Sequence, residues 1–325
     1  MKPIKLYFAA AWAGGGKGEA NLIEAGIKNK LVSYVYPTQL EGWLDNLSLD
    51  AEGCIMVDSG AFTAWSKGRQ IDLQAYIQYT HEALEKITAF RNQKMYIVNL
   101  DVIPGRVGET HALNSNRKQE NLDLIEEAAR EGYKNMRRMI KEGIVPIHVF
   151  HQGESFRWLD KMLEYLPYIG ISPANDMPSM ARTRWIETVF EYLYKERVIV
   201  DTHGFAVTNY NTLRTFPWTS CDAASWRIAA GMGSINYPKG GFTNPDYGCP
   251  PFTFNVSART AGKGVKHMQP LLLQKLEEDG YTYDALQTWQ CRASINVRYL
   301  LGLENWLNEY KAKTEYTPRT NLGFI

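Results

Sequence analysis

Short apolar runs alternate with longer segments of helical period along most of the chain. The runs are of strand length and rich in β-branched and aromatic side chains, which predicts β-strands. Eight of them stand out, at residues 5–11, 31–36, 54–58, 95–101, 146–151, 168–172, 198–202 and 219–222. Apolar side chains recur at helical spacing in residues 72–90, 114–131, 156–166 and 182–195. The pattern therefore predicts repeated βα units, in which helices cover a parallel sheet.

The number of these units and the places of the polar residues favour a barrel. About eight βα units in a chain of 325 residues can close a (β/α)8 TIM barrel, so we expect residues 1–325 to form one barrel domain. Two small domains and an open doubly wound sheet are the alternatives. Polar side chains follow five different strands, at Asp58, Asp101, Gln152, His203 and Asp222. In a barrel these strand ends converge on one pocket, whereas in an open sheet they spread along an edge.

The alternation ends after residue 226. Residues 231–266 are rich in glycine and proline, and a long segment of this kind is usually functional or mobile. We therefore expect an irregular insertion over residues 231–290, after strand 7 of the barrel. A helical pattern returns in residues 294–310 and predicts a C-terminal helical segment.

Composition narrows the classes of protein. With 45% hydrophobic and 22% charged residues, the chain resembles a globular protein with one large core. The formal net charge of +1 excludes a binder whose affinity comes from total positive charge, although local clusters can still neutralise phosphates. The amino terminus shows no export signal or membrane span, so we expect a cytoplasmic protein without membrane contact. The four cysteines form no CxxC pair, which gives neither a redox motif nor a zinc knuckle.

Six short motifs occur in a specific order along the predicted strand ends. They are DSGAF (58–62), NLD (99–101), HQG (151–153), IGIS (169–172), HGF (203–205) and SCDAASW (220–226). In this order they resemble the tRNA-guanine transglycosylase superfamily, over about residues 5–226. The stretch from HGF to SCDAASW is more similar to its DNA-directed branch, the 7-deazaguanine DNA transglycosylases of phages.

The resemblance implies two catalytic residues. Asp222 matches the family's nucleophile, and Asp58 matches the general acid or base beside the leaving purine. The chemistry agrees, because a carboxylate can attack an anomeric carbon to form a covalent glycosyl-enzyme, and a second acid must manage the proton of the departing base.

The resemblance also implies a base-binding set. Asp101 would accept hydrogen bonds from guanine N1–H and its 2-amino group, while Gln152 and the backbone of Gly170 would donate to O6. Phe62 and His203 occupy the positions that sandwich the purine. The neighbouring motif residues Ser59, Gly153 and Gly204 complete the predicted set.

The implied partners are DNA and a free 7-deazaguanine base such as 7-cyano-7-deazaguanine. The target base is stacked in a duplex, so base flipping or single-stranded DNA is required. We expect the insertion to face the nucleic acid, with phosphate contacts from Arg227, Arg259, Lys263 and Lys266.

Several alternatives remain open at this point. They are the same chemistry on tRNA, a non-catalytic nucleic-acid-binding barrel, and an unrelated barrel hydrolase. The tRNA enzymes carry a zinc cluster that Cys249, His267 and Cys291 do not reproduce, so we expect no cofactor or metal. A homodimer, which the tRNA enzymes form, is an assembly to test.

Overall fold

Eight parallel strands form one curled sheet in the computed structural model, which describes residues 2–10, 18–106, 118–258 and 270–318. The strands are β1 (Lys5–Phe8), β2 (Asn29–Ser33), β3 (Gly53–Asp58), β4 (Gln93–Ile97), β5 (His148–His151), β6 (Tyr168–Ser172), β7 (Asp201–Gly204) and β8 (Ser220–Ala223). Their order is β4-β3-β2-β1-β8-β7-β6-β5. A single parallel bridge between Val98 and Ile147 links the two outermost strands, β4 and β5. The predicted parallel α/β fold is confirmed, and the curled sheet is compatible with a TIM-like barrel.

Helices follow the strands, as the sequence predicts. They are α1 (Gly18–Glu24), α2 (Thr38–Asn46), α3 (Ala61–Ser66), α4 (Leu73–Ile87), α5 (Lys118–Lys141), α6 (Phe156–Leu163), α7 (Ser179–Lys195), α8 (Tyr210–Thr215) and α9 (Ser225–Gly231). Helix α5 continues ten residues beyond its predicted end at 131, and the buried Met136 and Met139 anchor this extension in the core. No helix within the described ranges combines the length and apolar character needed to cross a bilayer.

Alternate residues of several strands, β1, β2, β3 and β5 among them, belong to two different apolar clusters, because successive side chains of a strand point to opposite faces. On β1, Leu6 and Phe8 join the large cluster that also contains helix residues, whereas Tyr7 joins a smaller one. That smaller cluster lies on the inner face of the curled sheet and includes Met56 and Val149. At the carboxyl end of a strand, a residue that continues the inward-facing alternation therefore points toward the opening of the curled sheet.

Strand β7 differs from its predicted position. The β-branched residues 198–200 favour a strand by local pattern, but Ile199 is 95% exposed and pairing with β6 begins at Asp201. His203 and Gly204 consequently lie within the strand and pair with β8, instead of following its end.

The prediction for residues 231–290 is wrong in two respects. The segment follows β8 and not strand 7, and much of it is regular. It contains an antiparallel pair, β9 (Ser234–Tyr237) and β10 (Phe252–Asn255), and the helices α10 (Pro270–Glu278) and α11 (Tyr283–Leu286). The last helix, α12 (Trp289–Ala312), is longer than predicted and packs against α9, β9 and β1.

Candidate active site

A cavity of about 310 Å³ opens where the sheet strands end at their carboxyl side. Asp58, Asp101 and Asp222 all line it, although they are far apart in the sequence. Phe62 and Ile103 are further members of its wall. Its volume is at the lower end of the range of small-molecule pockets, which suits one compact ligand. The structure thus brings together the three carboxyl groups that the sequence singled out.

Asp58 is the last residue of β3 and is held by the turn that follows. Its Oδ2 accepts a hydrogen bond of 2.9 Å from the backbone N–H of Gly60. Gly60 has a φ of +76°, and a Cβ there would lie 2.7 Å from Cγ1 of Val35. Only glycine therefore fits this turn without displacing Val35.

The pKa of Asp58 is raised from an ordinary value of 3.8 to about 7. Burial is the main cause, and the charges of Asp101 and Asp222 add to it, outweighing the Gly60 hydrogen bond. Both the protonated and the ionised form of Asp58 are consequently populated near neutral pH. A carboxyl group in this state can donate or accept a proton during a reaction.

Asp101 is paired with His151, the last residue of β5. The Nε2 of His151 lies 2.8 Å from Asp101 Oδ2, and the hydroxyl of Ser59 donates to Asp101 Oδ1 over a longer 3.5 Å. Burial lowers the pKa of His151, but its hydrogen bond to Asp101 and the charge of that carboxylate leave the pKa raised. One oxygen of Asp101 is thus engaged by the imidazole, and Oδ1 is the more available one for a ligand.

Asp222 is buried on β8, with one of its two oxygens held in place. The backbone N–H of Ala206, which has a left-handed φ of +53°, donates to Asp222 Oδ1 over 2.6 Å. The Nε2 of His203 lies 3.6 Å from the same oxygen. Within the described residues no donor reaches Oδ2, so this oxygen is left for a ligand in the cavity.

Three residues of the predicted base-binding set have structural partners instead of lining the cavity. Gln152 accepts a hydrogen bond from the backbone N–H of Ala174 through its Oε1. A Cβ on Gly170 would lie 2.4 Å from Cε2 of Phe205, so this glycine makes room for the phenyl ring. A Cβ on Gly204 would lie 2.9 Å from Cys221 Sγ. Gly153 has a φ of +102° in the turn after β5.

The predicted stacking pair, Phe62 and His203, is separated by the structure. Phe62 lines the cavity and is 55% exposed, which leaves a ring face available to a planar ligand. His203 is fully buried beneath the cavity, where it makes edge contacts with Tyr7 and Phe205. Its burial corrects the prediction, because an inaccessible ring cannot stack on a ligand.

Sequence reasoning missed His151 and Phe205, which both line the cavity. For His151 a signal existed, since it continues the inner register of Ile147 and Val149 at a spacing of two residues. Glu154, in the turn after His151, is buried as well, and burial raises its pKa to about 8. It is another carboxyl group that can hold a proton at neutral pH.

Only one predicted phosphate contact lies within the described residues. Arg227 is exposed on α9, the helix that begins directly after β8. Arg259, Lys263 and Lys266 lie outside the described residues, as does His267 of the candidate zinc ligands. Among the residues that the structure describes, no group of three or more His, Cys, Asp or Glu side chains is placed to hold a metal ion.

Comparison of the chain with protein-family models gives no match. Comparison with curated proteins also gives none. The fold and the geometry of the cavity are therefore the basis for assigning a function.

Proposed function

We propose that this chain is a (β/α)8-barrel transglycosylase that exchanges guanine in DNA for a 7-deazaguanine base. The observation that carries the proposal is the convergence of Asp58, Asp101 and Asp222 on one small cavity. A nucleophile, a proton donor and a group that reads the base are the three functions that such an exchange requires.

The first displacement uses the free oxygen of Asp222. Oδ2 attacks C1′ of the deoxyribose, the bond from C1′ to N9 breaks, and its electron pair leaves with the purine. Asp58 donates its proton to the departing base, for which a pKa of about 7 suits it. The products are a covalent ester between Asp222 and the sugar, free guanine, and ionised Asp58.

The second displacement reverses these roles. Asp58 takes the N9 proton of the incoming base, N9 attacks C1′, and the ester bond to Asp222 breaks. Two displacements at one carbon retain its configuration. A 7-deazapurine has carbon where guanine has the protonatable N7, so it is the poorer leaving group and the exchange runs one way. Re-release of the inserted base in excess guanine would contradict this directionality.

Base recognition depends on Asp101 and the aromatic wall. Oδ1 of Asp101 accepts from the N–H groups of guanine, while His151 holds Oδ2. Phe62 offers its exposed face for stacking at the edge of the cavity. The proposal places one extruded base in the cavity of about 310 Å³, so the target nucleotide has to leave the stack before it reacts.

The test is an exchange assay with 7-cyano-7-deazaguanine as the incoming base. The protein is incubated with single-stranded DNA, duplex DNA or tRNA that carries labelled guanine, and released guanine and covalent adduct are measured. We expect release and an adduct with DNA, and neither with Asp222→Ala. The exposed Asp45, which lies outside the cavity wall, provides the matched control Asp45→Ala.

Each other outcome assigns a different function. Exchange on tRNA alone would replace DNA as the substrate. Binding without exchange would indicate a non-catalytic nucleic-acid-binding protein, and neither binding nor exchange would leave an unrelated barrel hydrolase. Lys263 and Lys266 test the interface separately, since replacing both with alanine should weaken DNA binding and reduce its salt dependence.

A further inference from the structure

Three hydrogen-bonding side chains form a continuous chain inside the curled sheet, beneath Asp222. The hydroxyl oxygen of Tyr168, at the start of β6, lies 2.5 Å from Ser220 Oγ, at the start of β8. Ser220 Oγ in turn lies 2.6 Å from Nδ1 of His203. Ser220 and His203 are register partners on neighbouring strands. The chain ends at Nε2 of His203, which is 3.6 Å from Asp222 Oδ1.

The direction of this chain follows from where each proton can go. Burial raises the pKa of Tyr168, so its phenol keeps its proton. Within the described residues Ser220 Oγ is the hydrogen-bond partner of that phenol, so Tyr168 donates and Ser220 accepts. The hydroxyl proton of Ser220 is then directed to Nδ1 of His203, which accepts it. An imidazole that accepts at Nδ1 carries its proton at Nε2.

The surroundings of His203 hold the ring in this orientation. Tyr7 and Phe205 make edge contacts with it, with ring centroids 5.8 and 4.4 Å away, and its side chain is inaccessible to solvent. Within the described residues, Nε2 has no hydrogen-bond partner. Its separation of 3.6 Å from Asp222 exceeds hydrogen-bond range, as is common for catalytic contacts that tighten only when the substrate is bound.

We propose that His203 is a positioning residue for Asp222, with its Nε2–H tautomer fixed by Tyr168 and Ser220. This inference rests on the proposed function, in which Asp222 is the nucleophile. The imidazole N–H and the Ala206 backbone N–H both face Oδ1, which leaves Oδ2 to bond with the sugar carbon. When the ester breaks in the second displacement, negative charge returns to the carboxylate, and the same two donors stabilise it.

The tautomer can be measured without any activity. Nitrogen-15 NMR of the histidine side chains, assigned through the loss of a signal in His203→Gln, distinguishes a proton at Nε2 from one at Nδ1. We expect Nε2–H in the wild-type protein and a mixture of tautomers in both Ser220→Ala and Tyr168→Phe. A proton at Nδ1 in the wild-type protein, or unchanged signals in both variants, would overturn the inference.

The second measurement is the single-turnover rate at which the isolated DNA adduct breaks down when the incoming base is added, the step in which charge returns to Asp222. His203→Phe removes the donor and should slow this rate by about 10- to 100-fold, the typical worth of a hydrogen bond to a charged group, with base affinity unchanged. His203→Gln keeps an amide N–H near the same place and should recover part of the rate. Thr202→Val is the matched control, because Thr202 is the strand neighbour of His203 and its buried hydroxyl has no partner among the described residues.

The two measurements separate the failure of this inference from the failure of the proposed function. If the wild-type protein exchanges no base on either nucleic acid, the proposed function fails while NMR still decides the tautomer. If the wild-type protein forms the adduct and the adduct of His203→Phe breaks down equally fast, only the role of His203 is refuted.

Discussion

Replacing Asp58 with asparagine should stabilise the folded protein at high pH. The pKa of this carboxyl is about 7 in the folded state, against an ordinary value of 3.8. A group with a raised pKa binds its proton more tightly in the folded state than in the unfolded one. Its contribution to stability is therefore complete below about pH 4 and is lost as the pH rises through 7.

The size of the effect follows from the difference between the two pKa values. They differ by about three units, and at about 1.4 kcal/mol per unit the ionised carboxyl costs up to about 4 kcal/mol at pH 8. Water in the open cavity solvates part of the charge, so we expect a gain of about 2 to 4 kcal/mol for Asp58→Asn at pH 8. At pH 5 the same comparison gives roughly 1 to 2 kcal/mol.

The assay is urea unfolding of the wild-type protein and of Asp58→Asn at pH 5 and pH 8. Asp45→Asn on the exposed side of α2 controls for the loss of one surface charge. Because Asp58 is the proposed proton donor, the stabilised variant should also lose base exchange. A gain of equal size at both pH values, or a loss of stability at pH 8, would refute the reasoning about burial and charge.

Two further predictions concern packing around the sheet. Gly170→Ala places a Cβ against the ring of Phe205 and should cost about 1 to 3 kcal/mol in urea unfolding, whereas Gly231→Ala, whose nearest heavy atom is 3.9 Å away, should cost less than about 1 kcal/mol. Equal costs would show that the ring moves freely. Lys30→Met leaves the buried Glu19 without its partner, 3.5 Å away, and should cost about 3 to 5 kcal/mol, much of it recovered when Glu19→Gln is added. Additive losses in the double variant would mean that the ion pair does not explain the effect.

Local sequence pattern predicts a strand correctly where the apolar run coincides with the residues that pair in the sheet. Strand β6 occupies residues 168–172, as predicted, because an apolar run there is bounded by Pro167 and Pro173. Strand β7 shows the opposite case. The apolar residues 198–200 resemble a strand, but the polar residues 201–204 form it, because Asp201 and His203 find partners on β6 and β8. Register with neighbouring strands is not visible in a local pattern.

The candidate site was also predictable only in part. Asp58 and Asp101 end or follow apolar strands and Asp222 lies on β8, so their convergence follows from a parallel sheet. The position of His203 did not follow, because its side chain faces inward only if β7 extends through residue 204. Its hydrogen bond to Ser220, which supports that extension, joins two strands that are separate in the sequence.

The charge of the cavity wall distinguishes the base of the proposed substrate from its phosphate backbone. Three carboxyl groups line it, and its described wall includes neither lysine nor arginine. Such a surface repels phosphate but favours the N–H groups of a purine edge, because they are hydrogen-bond donors. In the proposed exchange the base would therefore enter while the DNA backbone stays outside, and phosphate contacts would come from beyond the wall. Arg227 on α9 directly follows β8, which carries Asp222, and residues 231–290 continue from there. Of the proposed backbone contacts, Arg227 is thus close in the chain to Asp222, the proposed nucleophile, which agrees with the expectation that the segment after β8 faces the nucleic acid.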